Sequence, residues 1–124
     1  MFSTIFIYME RKYYVYILLY PRWVGEWKFK SKTFNYKPFY IGKGKGDRLK
    51  SHLYPSSLKR NNIKNNIIKT LINEHESEPI MIKLYNELTE IEAFNLEIEI
   101  IKHFGRIDKN EGILANHTDG GEGH

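Results

Sequence analysis

The 124-residue chain contains no cysteine, which excludes disulfides, thiolate nucleophiles and cysteine-ligated zinc. The paired histidine spacing of a zinc site is also missing. Because a chain without thiols suits a reducing compartment, we expect a cytoplasmic, intracellular protein. No apolar run is long enough to span a bilayer, and the short N-terminal apolar stretch lacks the basic segment and cleavage site of a signal peptide. We therefore expect no membrane partner.

Acidic residues are scarce in the first half of the chain. Residues 11–69 contain 15 Lys or Arg against two acidic residues, whereas residues 70–124 contain four against 12. Two oppositely charged, solvated faces are the ordinary explanation for such a division. Because the basic half is also rich in aromatic residues and glycine, the sequence favours a phosphate-rich partner instead.

The β-branched and aromatic runs predict a small α+β domain with a mainly antiparallel three-stranded sheet flanked by helices. Strands are predicted at 13–20, at 39–43 and from 80 to 84 or 85. Pro21 is expected to end the first strand, and residues 22–37 are predicted to be irregular or a hairpin. Three glycines are expected to end the second strand: Gly42, Gly44 and Gly46. Alternation places four side chains of the first strand on one face: Tyr14, Tyr16, Leu18 and Tyr20.

Capping signals predict three helices. A short helix is predicted at 48–53 with Asp47 as its N-cap, and a longer one at 61–75. A capping box begins the third helix, 89–104, and Gly105 lies just past its end. On the second helix, polar residues are predicted to face solvent opposite an apolar stripe: Lys64, Asn65, Lys69 and Asn73. The C-terminal tail is predicted to have little regular structure.

Glycines and lysines alternate in residues 42–46, immediately before the short helix. Glycines let backbone N–H groups approach an anion, and Lys43 and Lys45 add positive charge. The stretch has neither the P-loop spacing nor the dinucleotide-binding spacing, and a solvated turn is its ordinary explanation. Arg48 and His52 are four residues apart and are predicted to share a helix face. There they could bind a phosphate or move a proton, or they could be plain surface residues.

One carboxylate is predicted to lie on the buried face of the last helix. At about 100° per residue, the apolar side chains surround Glu97, whereas Glu92 and Glu99 fall on the opposite side. A buried carboxylate without a partner is costly, so Glu97 needs compensation. An ion pair with Arg48 or a lysine, or an early end to burial, is the ordinary explanation. A divalent-metal ligand or an acid–base group is the functional alternative.

Taken together, these positions resemble the motifs of the GIY-YIG nuclease family. The resemblance covers roughly residues 13–123 and rests on Tyr14-Val15-Tyr16, Tyr40-Ile41-Gly42, Arg48, His52, Glu97 and Asn116. Residues 40–52 and 116–123 are especially similar to phage and intron-associated homing members. The first motif departs from the family, because it has Tyr-Val-Tyr in place of Gly-Ile-Tyr. Residues 1–124 are predicted to form one nuclease domain with no separate DNA-binding domain, which leaves target specificity open.

The resemblance implies a metal-dependent endonuclease that hydrolyses DNA phosphodiester bonds, in a host cell if the protein is phage-encoded. Glu97 is implied to hold Mg²⁺, with Mn²⁺ as a substitute. One of Tyr16 and Tyr40 is implied to activate or position the attacking water, with the choice between them left open. Arg48 and His52 are implied to stabilise the scissile phosphate.

Three further residues are predicted to bind substrate. The resemblance implies that Lys43 is one of them. Lys45 is included because it adds positive charge next to Lys43. The resemblance implies that Asn116 is structural or positions the substrate. RNA stays open as a substrate, as does the choice between monomer and homodimer. The alternative function is a non-catalytic nucleic-acid-binding module on the same scaffold.

Overall fold

The structure, a computed structural model, describes residues 10–121, which form a three-stranded antiparallel sheet with helices on both faces. The predicted α+β class is confirmed. The N-terminal apolar stretch and the last two residues of the predicted C-terminal motif, Glu122 and Gly123, lie outside the described residues. Within residues 10–121, no helix has the length and apolar composition needed to cross a bilayer.

The sheet has the spatial order β2-β1-β3, and β1 is antiparallel to both of its neighbours. The strands are β1 (Tyr13–Phe29), β2 (Lys32–Lys45) and β3 (Ile80–Leu88). The α-helices are α1 (Pro55–Leu58), α2 (Ile63–His75) and α3 (Glu90–Phe104). Two 3₁₀ helices complete the fold, Arg48–Leu53 and Ile107–Lys109.

The first part of strand β1 is buried on both faces, as its β-branched and aromatic composition predicts. Because side chains alternate along a strand, its odd-numbered residues pack against α3 and its even-numbered residues pack against α2 and the first 3₁₀ helix. The cluster on the α2 side contains Tyr14, Tyr16, Leu18, Phe39, Leu49 and Ile68. The predicted common face of Tyr14, Tyr16, Leu18 and Tyr20 is therefore confirmed.

The hairpin of β1 and β2 is longer than predicted. Tyr20 pairs with Lys37, and the next pair is Val24 with Tyr36, so residues 21–23 bulge out of the ladder. The missing N–H of proline costs no ladder hydrogen bond at such a bulge. The prediction that Pro21 ends the strand is therefore wrong, and the hairpin alternative for the following segment is the one observed.

Gly42 and Gly44 lie within β2, which continues to Lys45. A Cβ atom at Gly42 would overlap the Tyr16 ring and hydroxyl, and one at Gly44 would overlap the Arg48 side chain. The prediction that the three glycines end the strand is therefore wrong for Gly42 and Gly44, although the strand does end just before Gly46. They make room for two side chains of the candidate site on the face of the sheet.

The segment after β2 is a 3₁₀ helix, and the Asp47 side chain before it makes no capping hydrogen bond. Because a 3₁₀ helix has three residues per turn, positions four apart do not align along it. Arg48 is exposed, whereas His52 is only 6% exposed. The predicted common helix face of these two residues is therefore wrong.

Helices α2 and α3 begin at capped residues. The Asn62 side chain accepts the N–H of Asn65 at the start of α2, two residues later than predicted. Thr89 and Glu92 form the predicted capping box of α3, which ends before Gly105, where φ is 78°. The predicted extent of α3 is thus confirmed.

Hydrogen bonds fix the C-terminal tail, which has little regular structure, as predicted. Arg106 forms ion pairs with Asp108 and Asp119. The Asn116 side chain accepts the Ile41 N–H at 3.0 Å and donates to the Ile41 carbonyl at 2.7 Å. The tail therefore covers the outer edge of β2 beside the candidate site.

Replacing Asn116 with alanine should leave both main-chain groups of Ile41 without these partners. Because each buried main-chain group left unpaired costs about 1–3 kcal/mol, we expect the free energy of unfolding to fall by about 2–4 kcal/mol. Urea denaturation measures this change. The exposed Asn95 of α3 provides the control Asn95→Ala, which should change stability by less than about 0.5 kcal/mol. Equal effects of the two substitutions would contradict the prediction.

Candidate active site

Tyr16, Tyr40 and His52 form an aromatic cluster on the α2 side of the sheet. Tyr16 is 1% exposed, and its hydroxyl oxygen lies 2.5 Å from His52 Nε2. The Tyr40 ring meets the His52 ring edge-on with centroids 5.1 Å apart, and it lies 6.4 Å from the Tyr16 ring. Two strands and a 3₁₀ helix thus bring together three of the predicted site residues.

His52 is held by the protein through both of its ring nitrogens. Its Nδ1 lies 2.8 Å from Lys64 Nζ, opposite the Nε2 contact with Tyr16. Burial and, to a lesser extent, the positive charges of Lys64 and Arg48 together lower the pKa of His52 to about 3. The imidazole is therefore neutral at neutral pH, and neither nitrogen is available for the phosphate contact that the resemblance implies.

Arg48 is placed by the strands beneath it. The Tyr14 hydroxyl donates to the Gly46 carbonyl at 2.8 Å and accepts the Leu49 N–H at 3.0 Å, so it fastens the 3₁₀ helix to β1. Gly44 lets the Arg48 side chain lie against β2. Tyr14 therefore positions the arginine, a role that its place in the motif did not reveal.

The charges of Glu97 and Arg48 affect the pKa of both tyrosine hydroxyls, those of Tyr16 and Tyr40. Burial raises the pKa of Tyr16 well above its usual value and also raises the pKa of Tyr40. Glu97 raises the pKa of both hydroxyls further, whereas Arg48 lowers it. These four predicted site residues therefore share one electrostatic environment.

Glu97 is half-buried on α3, whose buried residues are Ala93, Ile100 and Ile101. Its Oε1 accepts the N–H of Gly121 at 2.9 Å. The tail can pass this closely because Gly120 and Gly121 have no side chains, and their φ angles of 90° and 77° favour glycine. The sequence predicts that Glu97 needs a partner, and one such partner is the main-chain N–H of Gly121 in the tail.

The residues around Glu97 fit a hard divalent ion better than a zinc ion. Among the described residues, no group of three or more His, Asp or Glu side chains is arranged to hold a metal, as structural zinc requires. Mg²⁺ commonly binds one or two carboxylates and keeps waters and substrate phosphate oxygens as its other ligands. A carboxylate has about four lone-pair positions, so the hydrogen bond from the Gly121 N–H is compatible with such a role for Glu97.

A cavity of about 680 Å³ opens beside the aromatic cluster. Three basic side chains line it, Arg48, Arg60 and Lys64, and none of the described lining residues is acidic. The other lining residues are Tyr40, Ser51, His52, Ser56, Ser57, Asn62, Asn65, Asn116, His117 and Thr118. Positive charge together with hydroxyl and amide groups suits a nucleic-acid backbone.

Lys43 and Lys45 are not brought to this cavity. The Lys43 side chain is 4% exposed, and its Nζ lies 4.1 Å from the centre of the Phe94 ring on α3. It therefore points to the sheet face opposite Tyr16. Lys45 is exposed, with its Nζ 5.5 Å from the centre of the Tyr13 ring. Their roles in binding substrate stay predictions, as does that of Asn116.

Lys64 belongs to the site, although the sequence predicts a solvent-facing position for it. The neighbouring Asn65 is 1% exposed, because its Nδ2 donates to the carbonyls of Ser57 and Arg60. These bonds hold the first turn of α2 against the preceding segment and bring Lys64 to His52. The predicted solvent-facing position of Lys64 and Asn65 is therefore wrong. Periodicity shows which residues share a helix face but not what covers that face.

A family model described as the LEM-3-like GIY-YIG domain matches residues 13–121. The match includes all three strands, α3 and the tail that reaches Glu97. The chain has no significant match among curated proteins or among solved structures. Fold and family match together define a nuclease domain, a class that generally acts on nucleic acid with a divalent metal.

The chain belongs to the GIY-YIG nuclease family. The family resemblance predicted from the two tyrosine motifs, Arg48, Glu97 and Asn116 is thereby confirmed. The phage and homing subtype stays a prediction.

Acid should destabilise the fold through His52. The unfolded imidazole binds a proton near its ordinary pKa of 6.5, whereas the folded one does so only near about pH 3. The free energy of unfolding should therefore fall as the pH drops through this window. Urea denaturation at several pH values measures the slope, and His52→Asn should flatten it. The same slope in the wild type and in this variant would refute the prediction.

Proposed function

We propose that this chain is a metal-dependent endonuclease that hydrolyses phosphodiester bonds in DNA. The observation that carries the proposal is that the charges of Arg48 and Glu97 act on two neighbouring tyrosines, the buried Tyr16 and the half-buried Tyr40, next to a cavity lined by basic residues. Burial of the tyrosines close to a carboxylate raises the pKa of their hydroxyls. A fold that only needed stability would gain little from this arrangement.

The proposed chemistry assigns each residue one task. Arg48, exposed at the cavity, can donate two parallel hydrogen bonds to the scissile phosphate and neutralise the charge that develops on it. Tyr40 lines the cavity and is proposed to orient the attacking water, with Tyr16 behind it. His52 is proposed to hold the Tyr16 hydroxyl rather than the phosphate, because both of its nitrogens have protein partners.

Glu97 is proposed to hold the divalent metal, Mg²⁺ or Mn²⁺. When bound, such an ion supplies Lewis-acid stabilisation of the phosphate charge and lowers the pKa of a coordinated water. The chain itself contributes the placement of the Glu97 carboxylate on a rigid helix. The Gly121 N–H donates to this carboxylate and so helps to orient it.

Glu97→Gln should lower the rate of Mg²⁺-dependent plasmid cleavage by at least about 100-fold, because an amide is a poor ligand for a hard cation. Glu99→Gln is the matched control, since it removes the same charge from an exposed position on the same helix. This control should cleave at the wild-type rate. Circular dichroism should show unchanged folding in both variants.

Two outcomes would count against the enzyme. Full cleavage by Glu97→Gln would remove the proposed role of this carboxylate. Wild-type protein that binds DNA but leaves the plasmid intact with both Mg²⁺ and Mn²⁺ would favour a non-catalytic binding module.

Arg60 is proposed to contact a phosphate next to the scissile one, because it lines the same cavity as Arg48. Arg60→Gln should weaken DNA binding and reduce the slope of log affinity against log salt by about 1, the value for one lost phosphate contact. Fluorescence anisotropy over a salt series, in a Glu97→Gln background that prevents cleavage, measures this slope. Lys102→Gln, at an exposed position on α3, is the charge-matched control. Equal slopes for the two variants would rule out the Arg60 contact.

A further inference from the structure

Lys64, His52 and Tyr16 form a continuous hydrogen-bonded chain from α2 to the central strand. Lys64 Nζ lies 2.8 Å from His52 Nδ1, and His52 Nε2 lies 2.5 Å from the Tyr16 hydroxyl oxygen. His52 and Tyr16 are both buried, while Lys64 is half-buried at the cavity wall. The imidazole therefore joins one cationic side chain to one of the two site tyrosines.

The chemistry of the lysine determines which group donates and which accepts in each of these hydrogen bonds. An ammonium group has three N–H donors and no acceptor, so Lys64 can only donate to Nδ1. A neutral imidazole that accepts at Nδ1 must carry its proton on Nε2. Nε2–H then donates to the Tyr16 oxygen, and the tyrosine's own proton must point away from His52.

We propose that Lys64 is a positioning residue of the active site that fixes the Nε2–H tautomer of His52 and so makes the Tyr16 oxygen a hydrogen-bond acceptor. The proposal rests on the proposed nuclease function for its catalytic consequence. Its structural part, the tautomer, can be tested without substrate.

The consequence concerns the state in which Tyr16 has lost its proton. His52 cannot take that proton from Tyr16, because Nε2 already carries one, so the proton must leave the hydroxyl on the side away from His52 and pass to solvent water. The same N–H instead stabilises the phenolate, and the Lys64 charge lies directly behind it. Both effects lower the pKa of Tyr16 and so oppose its burial, which raises that pKa. The hydrogen bonds from Lys64 through His52 therefore favour the phenolate of Tyr16, the form that can accept a proton from water.

The surroundings of Lys64 are consistent with this role. Its Nζ lies 5.3 Å from the centre of the Tyr40 ring, and Arg48 and Arg60 line the same cavity. No acidic side chain is among the described residues that line this cavity. Burial and the two arginines lower the pKa of Lys64 to about 8, so it is still mostly protonated at neutral pH. The hydrogen-bond partner of its Nζ is thus the His52 imidazole.

Nitrogen-15 NMR of the full chain tests the tautomer directly, because a protonated ring nitrogen and one with a free lone pair have distinct chemical shifts. The wild type should show His52 protonated at Nε2. Lys64→Met should move the spectrum toward a mixture of tautomers, and Lys64→Arg should restore the wild-type form, since a guanidinium also only donates. Lys69→Met removes the same charge from the same helix and should change nothing. A wild type in which His52 is protonated at Nδ1, or a Lys64→Met variant in which the tautomer of His52 is unchanged, would overturn the proposal.

Plasmid cleavage with Mg²⁺ tests the consequence. Lys64→Met should lower kcat by at least about 10-fold with KM little changed, whereas Lys64→Arg and Lys69→Met should stay near the wild type. A shifted tautomer with unchanged kcat would overturn the catalytic part. If the wild type does not cleave at all, the nuclease proposal fails, while the tautomer measurement still decides the structural part.

Discussion

The buried hydroxyl of Tyr16 is the constraint on which the candidate site depends. A phenol removed from water needs a hydrogen-bond partner, and Tyr16 finds it in His52. This contact requires Gly42, because any side chain there would overlap the Tyr16 ring. It also requires the 3₁₀ helix to lie against β1, which the Tyr14 hydroxyl secures through Gly46 and Leu49.

Glu97 belongs to a helix that packs on the sheet face opposite Tyr16. Helix α3 packs on the odd-numbered residues of β1, yet the charge of Glu97 reaches the tyrosines on the even-numbered face. The tail connects these two sides, because Asn116 bonds to the edge strand β2 and the Gly121 N–H donates to Glu97. The site thus forms at a sheet edge, where groups from both layers can approach one another.

Local chemistry predicted much of this arrangement. The alternation in β1, the capping box of α3 and the helical phase of Glu97 depend on nearest neighbours and periodicity, which a sequence displays directly. Residues whose position depends on distant contacts escaped prediction. Pro21 is tolerated because of a bulge in the pairing with β2, and Lys64 turns inward because Asn65 bonds to carbonyls of the preceding segment. Gly42 and Gly44 suggested a turn from their sequence alone, and only the three-dimensional packing reveals the side chains for which they make room.

The bond between Asn116 and Ile41 joins residues that are far apart in the sequence, so it affects the order in which the candidate site forms during biosynthesis. The two residues are 75 positions apart, and Ala115 and Phe39, whose neighbouring main-chain hydrogen bond is 2.7 Å long, are 76 positions apart. Closing so long a loop is entropically costly and comes late when local structure forms first. On a ribosome, the tyrosines and Arg48 emerge well before Glu97 and the tail. A growing chain therefore contains Arg48 and the tyrosines before it contains the carboxylate that is proposed to hold the metal.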